Sequence, residues 1–70
     1  MKEFNKLVGY RNRCGLSQRK LGECLGITAS AYSAKENGKA PFTLNDMKII
    51  HSILESTLQE PIDFKELFNI

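Results

Sequence analysis

Ser17 to Gly38 reads S-Q-R-K-L-G-E-C-L-G-I-T-A-S-A-Y-S-A-K-E-N-G, and the order of these residues decides the fold. Ser17 can accept a hydrogen bond from a free backbone N–H of a following helical turn, which makes it a helix cap. Leu21 and Leu25 then fall one turn apart on a single face. Gly26 can take the left-handed conformation that ends a helix without steric penalty. Ile27 plugs the corner, Thr28 caps a second helix, Tyr32 faces inward one turn later, and Asn37-Gly38 stops it. The pattern predicts two short helices joined by a tight glycine turn, the second presenting small polar residues outward. That is the geometry needed to lay a helix in the major groove of DNA.

Working outward, Phe4, Leu7, Val8 and Arg11 recur at helical spacing and predict a first helix from about Glu3 to Cys14, ended by Gly15. Arg11 sits on that mostly apolar face and needs a partner, unless it is a surface residue. Gly9, on the outer side, has no evident role. A fourth helix should start after Thr43, with Asp46 placed for a capping-box contact, and run through Leu44, Met47, Ile50, His51 and Leu54 to about Thr57. Ile49 and Ile53 fall outside its stripe, so its apolar circumference exceeds what one contact explains. The excess can be covered by the segment Pro61–Phe68, a short helix capped by Asp63 with Phe64, Leu67 and Phe68 on one side, or by another subunit or protein. The fold class expected is all-α: a compact bundle of four to five short helices in a single domain over residues 1–70, with the motif at 17–38 and a short C-terminal helix or tail at about 61–70.

Seventy residues leave no room for a second sensing or catalytic domain, and a core of this size supplies roughly 3–5 kcal/mol. Net charge is +2, unevenly spread: residues 1–42 hold eight Lys/Arg against three Glu, or +5, and residues 43–70 hold two Lys against five acids, or −3. A basic half that carries the motif is the asymmetry expected when one face meets phosphates. Cys14 and Cys24 lack metal-ligand spacing and His51 has no partner set for zinc. Both cysteines read as reduced, small core or boundary hydrophobes of a cytoplasmic protein, and no metal or cofactor is expected. No apolar run reaches membrane-spanning length, and Met1-Lys2-Glu3 lacks a signal-peptide apolar region. Catalysis is not expected: Ser17, Ser30 and Ser33 have no visible base, and Cys14 lies at a helix end where the dipole does not favour a thiolate.

These spacings resemble the Cro/phage-repressor, or Xre-like, helix-turn-helix family. The matching positions are Ser17-Gln18, Leu21-Gly22, Gly26-Ile27-Thr28, Tyr32 and Glu36-Asn37-Gly38, and with flanking helices the likeness extends to roughly residue 58. The resemblance implies a lambda-repressor-like DNA-binding fold and a regulator of phage or bacterial type. It implies that Arg11 pairs with Glu36, tying the first helix to the end of the third. Three positions depart from the family: Gly22 where Ala is favoured, Tyr32 where a β-branched residue is usual, and Lys35 where an apolar residue is common. The Tyr32 hydroxyl is therefore expected to reach the surface or a partner, and Lys35 to bury its stem with the ammonium group in solvent.

Phosphate contacts position such a protein and base contacts specify its site. Gln18, Arg19, Arg13 and Lys39 are the phosphate candidates. By resemblance, Ala29, Ser30, Ser33 and Ala34 face base edges with Thr28 near the backbone. The base-facing set lacks the long amides and guanidinium groups that make bidentate base contacts, so direct readout should be weak, with DNA shape, waters or a second subunit supplying the rest. Ile49, Ile53, Phe64, Leu67 and Phe68 are the expected partner or dimer surface. The leading expectation is a Cro-like or repressor-like transcriptional regulator that binds double-stranded DNA, as a homodimer at least on DNA, and acts by occupying operators. The alternative is an interaction module, an antirepressor or modulator, that pairs with a second regulator protein through the fourth helix and the tail.

Overall fold

The computed structural model describes residues 4–70 and contains five helices in this order: α1 (Asn5–Arg13), α2 (Gln18–Leu25), α3 (Ala29–Glu36), α4 (Leu44–Leu58) and α5 (Phe64–Leu67). No strand occurs among the described residues. The expected start of the first helix at Glu3 lies outside them. Four of the five helices open on a side-chain cap three residues from its donor: Ser17 accepts from the Lys20 N–H, Thr28 from Ala31, Thr43 from Asp46 and Asp63 from Glu66. At α4 the cap is reciprocal, because the Asp46 carboxylate also accepts from the Thr43 N–H at 3.1 Å. Each such cap satisfies a donor that the helix itself leaves open, and is worth about 1 kcal/mol.

The caps orient apolar stripes that meet in one core. Leu7, Leu21, Tyr32, Ile50, Leu54, Leu67 and Phe68 are completely enclosed, with Phe4 and Ile62 at its margin. Phe42, in the connection before α4, joins the margin to the centre: its ring meets Phe4 at 5.2 Å, Tyr32 at 6.1 Å and Phe68 at 5.7 Å, all edge-on. Such edge-to-face pairs add roughly 0.5–1.5 kcal/mol beyond the area they bury.

The C-terminal segment docks on the side of α4 that carries His51 and Glu55, and leaves the surplus face at Ile49 and Ile53 partly open. Ile62 enters the core, and its backbone is stapled to α4 on both sides, the N–H donating to Glu55 Oε2 at 2.8 Å and the carbonyl lying 2.7 Å from His51 Nε2. Phe64 stacks edge-on against His51 at 5.3 Å. Leu67 and Phe68 are therefore core residues, which corrects the expectation that they face a partner. Ile49, Ile53 and Phe64 stay half-exposed. Helix α4 ends one residue later than expected, at Leu58, because Gln59 takes the left-handed conformation (φ 54°) usually left to glycine. Of the cysteines, both free, Cys14 is half-buried at the edge of the core, but Cys24 is exposed, since it falls on the outer side of α2.

A candidate nucleic-acid interface

Helices α2 and α3 meet backbone to backbone at their corner. Gly26 has φ 75° and ends α2, and the Ile27 N–H turns back to the Gly22 carbonyl at 2.8 Å. Gly22 itself lies where a β-carbon would stand 3.0 Å from the carbonyl oxygens of both Ile27 and Thr28. The absence of a side chain at position 22 thus lets the backbone that opens α3 rest directly on α2.

The far end of α3 is fixed by charge. Glu36 is buried, yet its carboxylate is fully answered: Arg11 Nε donates to Oε2 at 2.9 Å and Arg11 Nη2 to Oε1 at 3.1 Å, while Gln18 Nε2 donates to Oε1 at 3.0 Å. The remaining Arg11 amine donates to the Leu16 carbonyl at 2.9 Å. Side-chain exposure of 11% for Arg11 and 3% for Glu36 makes this a desolvated pair, in which loss of one partner would leave an uncompensated buried charge. The Tyr32 hydroxyl, expected to find a surface or a partner, does not reach the surface. It is buried without a well-formed hydrogen bond, the Glu36 carboxylate being the group it faces, and burial together with that carboxylate pushes its pKa well up.

Lys35 departs from expectation in the same way. Its side chain is only 18% exposed and its ammonium group is bound to Asp46 rather than left in solvent. The pair reaches across from the last turn of α3 to the first turn of α4. Burial acts to raise the Asp46 pKa, but the Lys35 ammonium and the Thr43 donors outweigh it and hold the carboxyl below its ordinary value.

With its inner side so occupied, α3 offers its other side outward. Ser30 is exposed, and Ala29, Ser33 and Ala34 are half-exposed, so the C-terminal segment does not cover them. Thr28 is exposed too, its hydroxyl engaged as the cap. Asn37, expected only as a helix stop, caps α3 with its side chain exposed and its Nδ2 directed at Ser33 Oγ, 3.4 Å away. Ser30, Ser33 and Asn37 thus fall at i, i+3 and i+7, one row along the helix. A carboxamide, absent from the base-facing set expected from the sequence, therefore stands at the end of this row. Its position in an Asn-Gly stop masked it, although the same spacing rule that placed Ser30 and Ser33 together would have found it.

Gln18 and Arg19 begin α2, where the first N–H groups have no partner within the helix and the dipole favours an anion. The Gln18 amide is oriented by Glu36, and Arg19 is 81% exposed with Glu23 at 4.0 Å. Lys39 is exposed, and its backbone N–H donates to the Ala34 carbonyl at 2.8 Å, so it is anchored to α3. Arg13 does not join this group. It lies about 200° round α1 from Arg11, pairs with Glu60 at 3.1 Å and sits over the Tyr10 ring. The reason is helical phase: the side of α1 that faces Gln18 and Glu36 is taken by Arg11. No cluster of metal-ligating side chains occurs among the described residues, and no helix is long and apolar enough to cross a membrane.

A family model described as helix-turn-helix matches residues 9–60, which includes both helices of the motif and the whole of α4. Neither curated proteins nor solved structures contain a significant match to the chain.

Proposed function

Because the chain belongs to the Xre/Cro-like helix-turn-helix family of DNA-binding regulators, we propose that it is a repressor-type transcriptional regulator. In this reading it occupies operator DNA in the bacterial or phage-infected cytoplasm and excludes polymerase or a rival repressor. The observation that carries the reading is the outward row of α3, uncovered and flanked by the exposed Lys39 and by the start of α2. Ser30 and Ser33 would touch base edges, the methyl groups of Ala29 and Ala34 would meet thymine methyls, and Asn37 would supply an amide. Gln18, Arg19, Thr28 and Lys39 would hold phosphates.

One copy offers a single short recognition helix, so binding as a homodimer to two half-sites about 34–36 Å apart is part of the proposal. The half-exposed Ile49, Ile53 and Phe64 support it. The same residues and the short side chains of α3 also favour the second reading, a module that pairs with another regulator.

Selection of bound sequences from a random duplex pool at two salt concentrations tests the first reading. Enrichment of a two-fold-symmetric sequence, with affinity falling steeply as salt rises, is the expected result. Absence of duplex binding at low salt would reject it. Replacing Ile49 and Ile53 by Ser then separates the readings. Operator binding lost together with self-association supports the regulator, and retained self-association with loss of a second protein supports the module.

A further inference from the structure

The last turn of α3 is gripped from two directions by adjacent residues. Glu36 is bound toward α1 and α2 by Arg11 and Gln18, and Lys35 is bound toward α4 by Asp46. Adjacent helical positions diverge by about 100°, so the two ion pairs oppose rotation of the helix about its own axis. The Glu36 pair follows from the family pattern quoted above; the Lys35 pair belongs to this chain, where an apolar residue is common.

We propose that Asp46 is a positioning residue for DNA recognition, fixing through Lys35 the rotation of α3 that presents Ser30, Ser33 and Asn37. This rests on the DNA-binding reading above. Asp46 is suited to it because the same carboxylate oxygen that binds Lys35 also accepts from the Thr43 N–H. The clamp is therefore built on a residue already held by the α4 capping box, not on a free side chain. It also spans the connection that carries Lys39, so the phosphate contact and the base-reading row are set by one joint. Lys35 itself, with its charge neutralised and only 18% of its side chain exposed, is not offered to phosphate.

The sign of one substitution separates positioning from plain charge. Asp46→Asn removes an acid and raises the net charge by one, so electrostatics alone would tighten binding to every duplex. Positioning requires weaker binding to the selected duplex, by about five- to tenfold, the lower part of the range for one misplaced base contact. Affinity for a random-sequence duplex of equal length should hold or rise. Lys35→Met keeps the stem and removes the clamp, so it should reduce the same selectivity ratio while leaving the slope of log affinity against log salt unchanged. The double variant should lose no more selectivity than either single one.

Wild-type protein that binds no duplex would overturn the DNA-binding reading and the inference with it. Wild-type protein that binds selectively, with Asp46→Asn tightening both duplexes alike, would overturn the inference alone. So would a Lys35→Met slope lower by about one, since that is the mark of a phosphate contact. If Asp46→Asn melts below the assay temperature, Lys35→Met decides the matter, because it leaves the capping box whole.

Discussion

Replacing glycine by alanine at two helical positions should have unequal effects, a full gain at one and none or a loss at the other. Gly9 lies inside α1 and Gly22 inside α2, and in each case alanine favours the helix by about 0.8–1.0 kcal/mol. At Gly9 an added β-carbon meets nothing within 4 Å among the described residues. The whole propensity gain should therefore appear as stability, and for a 60–100-residue domain about 1 kcal/mol raises the melting temperature by roughly 4–8 °C. At Gly22 the added carbon stands 3.0 Å from the Ile27 and Thr28 carbonyl oxygens and 3.3 Å from the Thr28 carbonyl carbon. These are backbone atoms of the turn, which cannot swing aside as a long side chain would. Overpacking costs about 1–3 kcal/mol, so the net effect of Gly22→Ala runs from near zero to a loss of about 2 kcal/mol, and the turn that opens α3 must shift. Thermal unfolding followed by circular dichroism, with both variants beside the parent, measures the difference directly. If Gly22→Ala stabilises as much as Gly9→Ala, the close approach of α3 to α2 is not a constraint and the reasoning fails.

Arg11→Met should be far more damaging than its surface-like neighbours predict. It strands the Glu36 carboxylate, a loss of about 3–5 kcal/mol, comparable to the whole stability of a domain this size, so urea melts should find it largely unfolded at 25 °C. On duplex DNA, Lys39→Ala should reduce the salt slope by about one, whereas Arg13→Ala should leave it unchanged; equal slopes for the two would return Arg13 to the interface. Asn37→Ala should lower the ratio of selected to random duplex affinity by about one base contact, 1–3 kcal/mol, with unchanged salt slope; an unchanged ratio would remove Asn37 from the reading row. Asp46 has a folded-state pKa below its unfolded value, so its contribution is present above about pH 4 and is lost as pH falls through the folded value. Acid titration should therefore cost the parent more stability than Asp46→Asn over that window, and parallel curves would contradict the clamp.

Much of this architecture was legible because its signals act over three or four residues. The caps at Ser17, Thr28, Thr43 and Asp63 each engage a donor three positions on, and Gly26 needs only its own φ to end α2. Side-chain oxygen type and spacing encode such contacts whatever the rest of the chain does. The Arg11–Glu36 pairing spans 25 residues, and it was reached through the resemblance, not through spacing. Where no local signal or resemblance existed, expectations drifted. Gln59 ends α4 without being glycine, and Cys24 lies on the open side of α2.

From the order of its residues alone, this chain was bound to form short capped helices with a sharp corner at Gly26, since those elements are stabilised by contacts within a single turn. Which charges stay free was a tertiary matter. Lys35 meets Asp46, 11 residues away, Arg13 meets Glu60, and Gln18 meets Glu36, and none of these encounters exists until the helices have docked. The same holds for Leu67 and Phe68, whose burial depends on Ile62 being stapled between Glu55 and His51. A side chain's type states what it can bind; only the folded neighbourhood, by removing water and bringing distant partners within 3 Å or so, decides what it does bind.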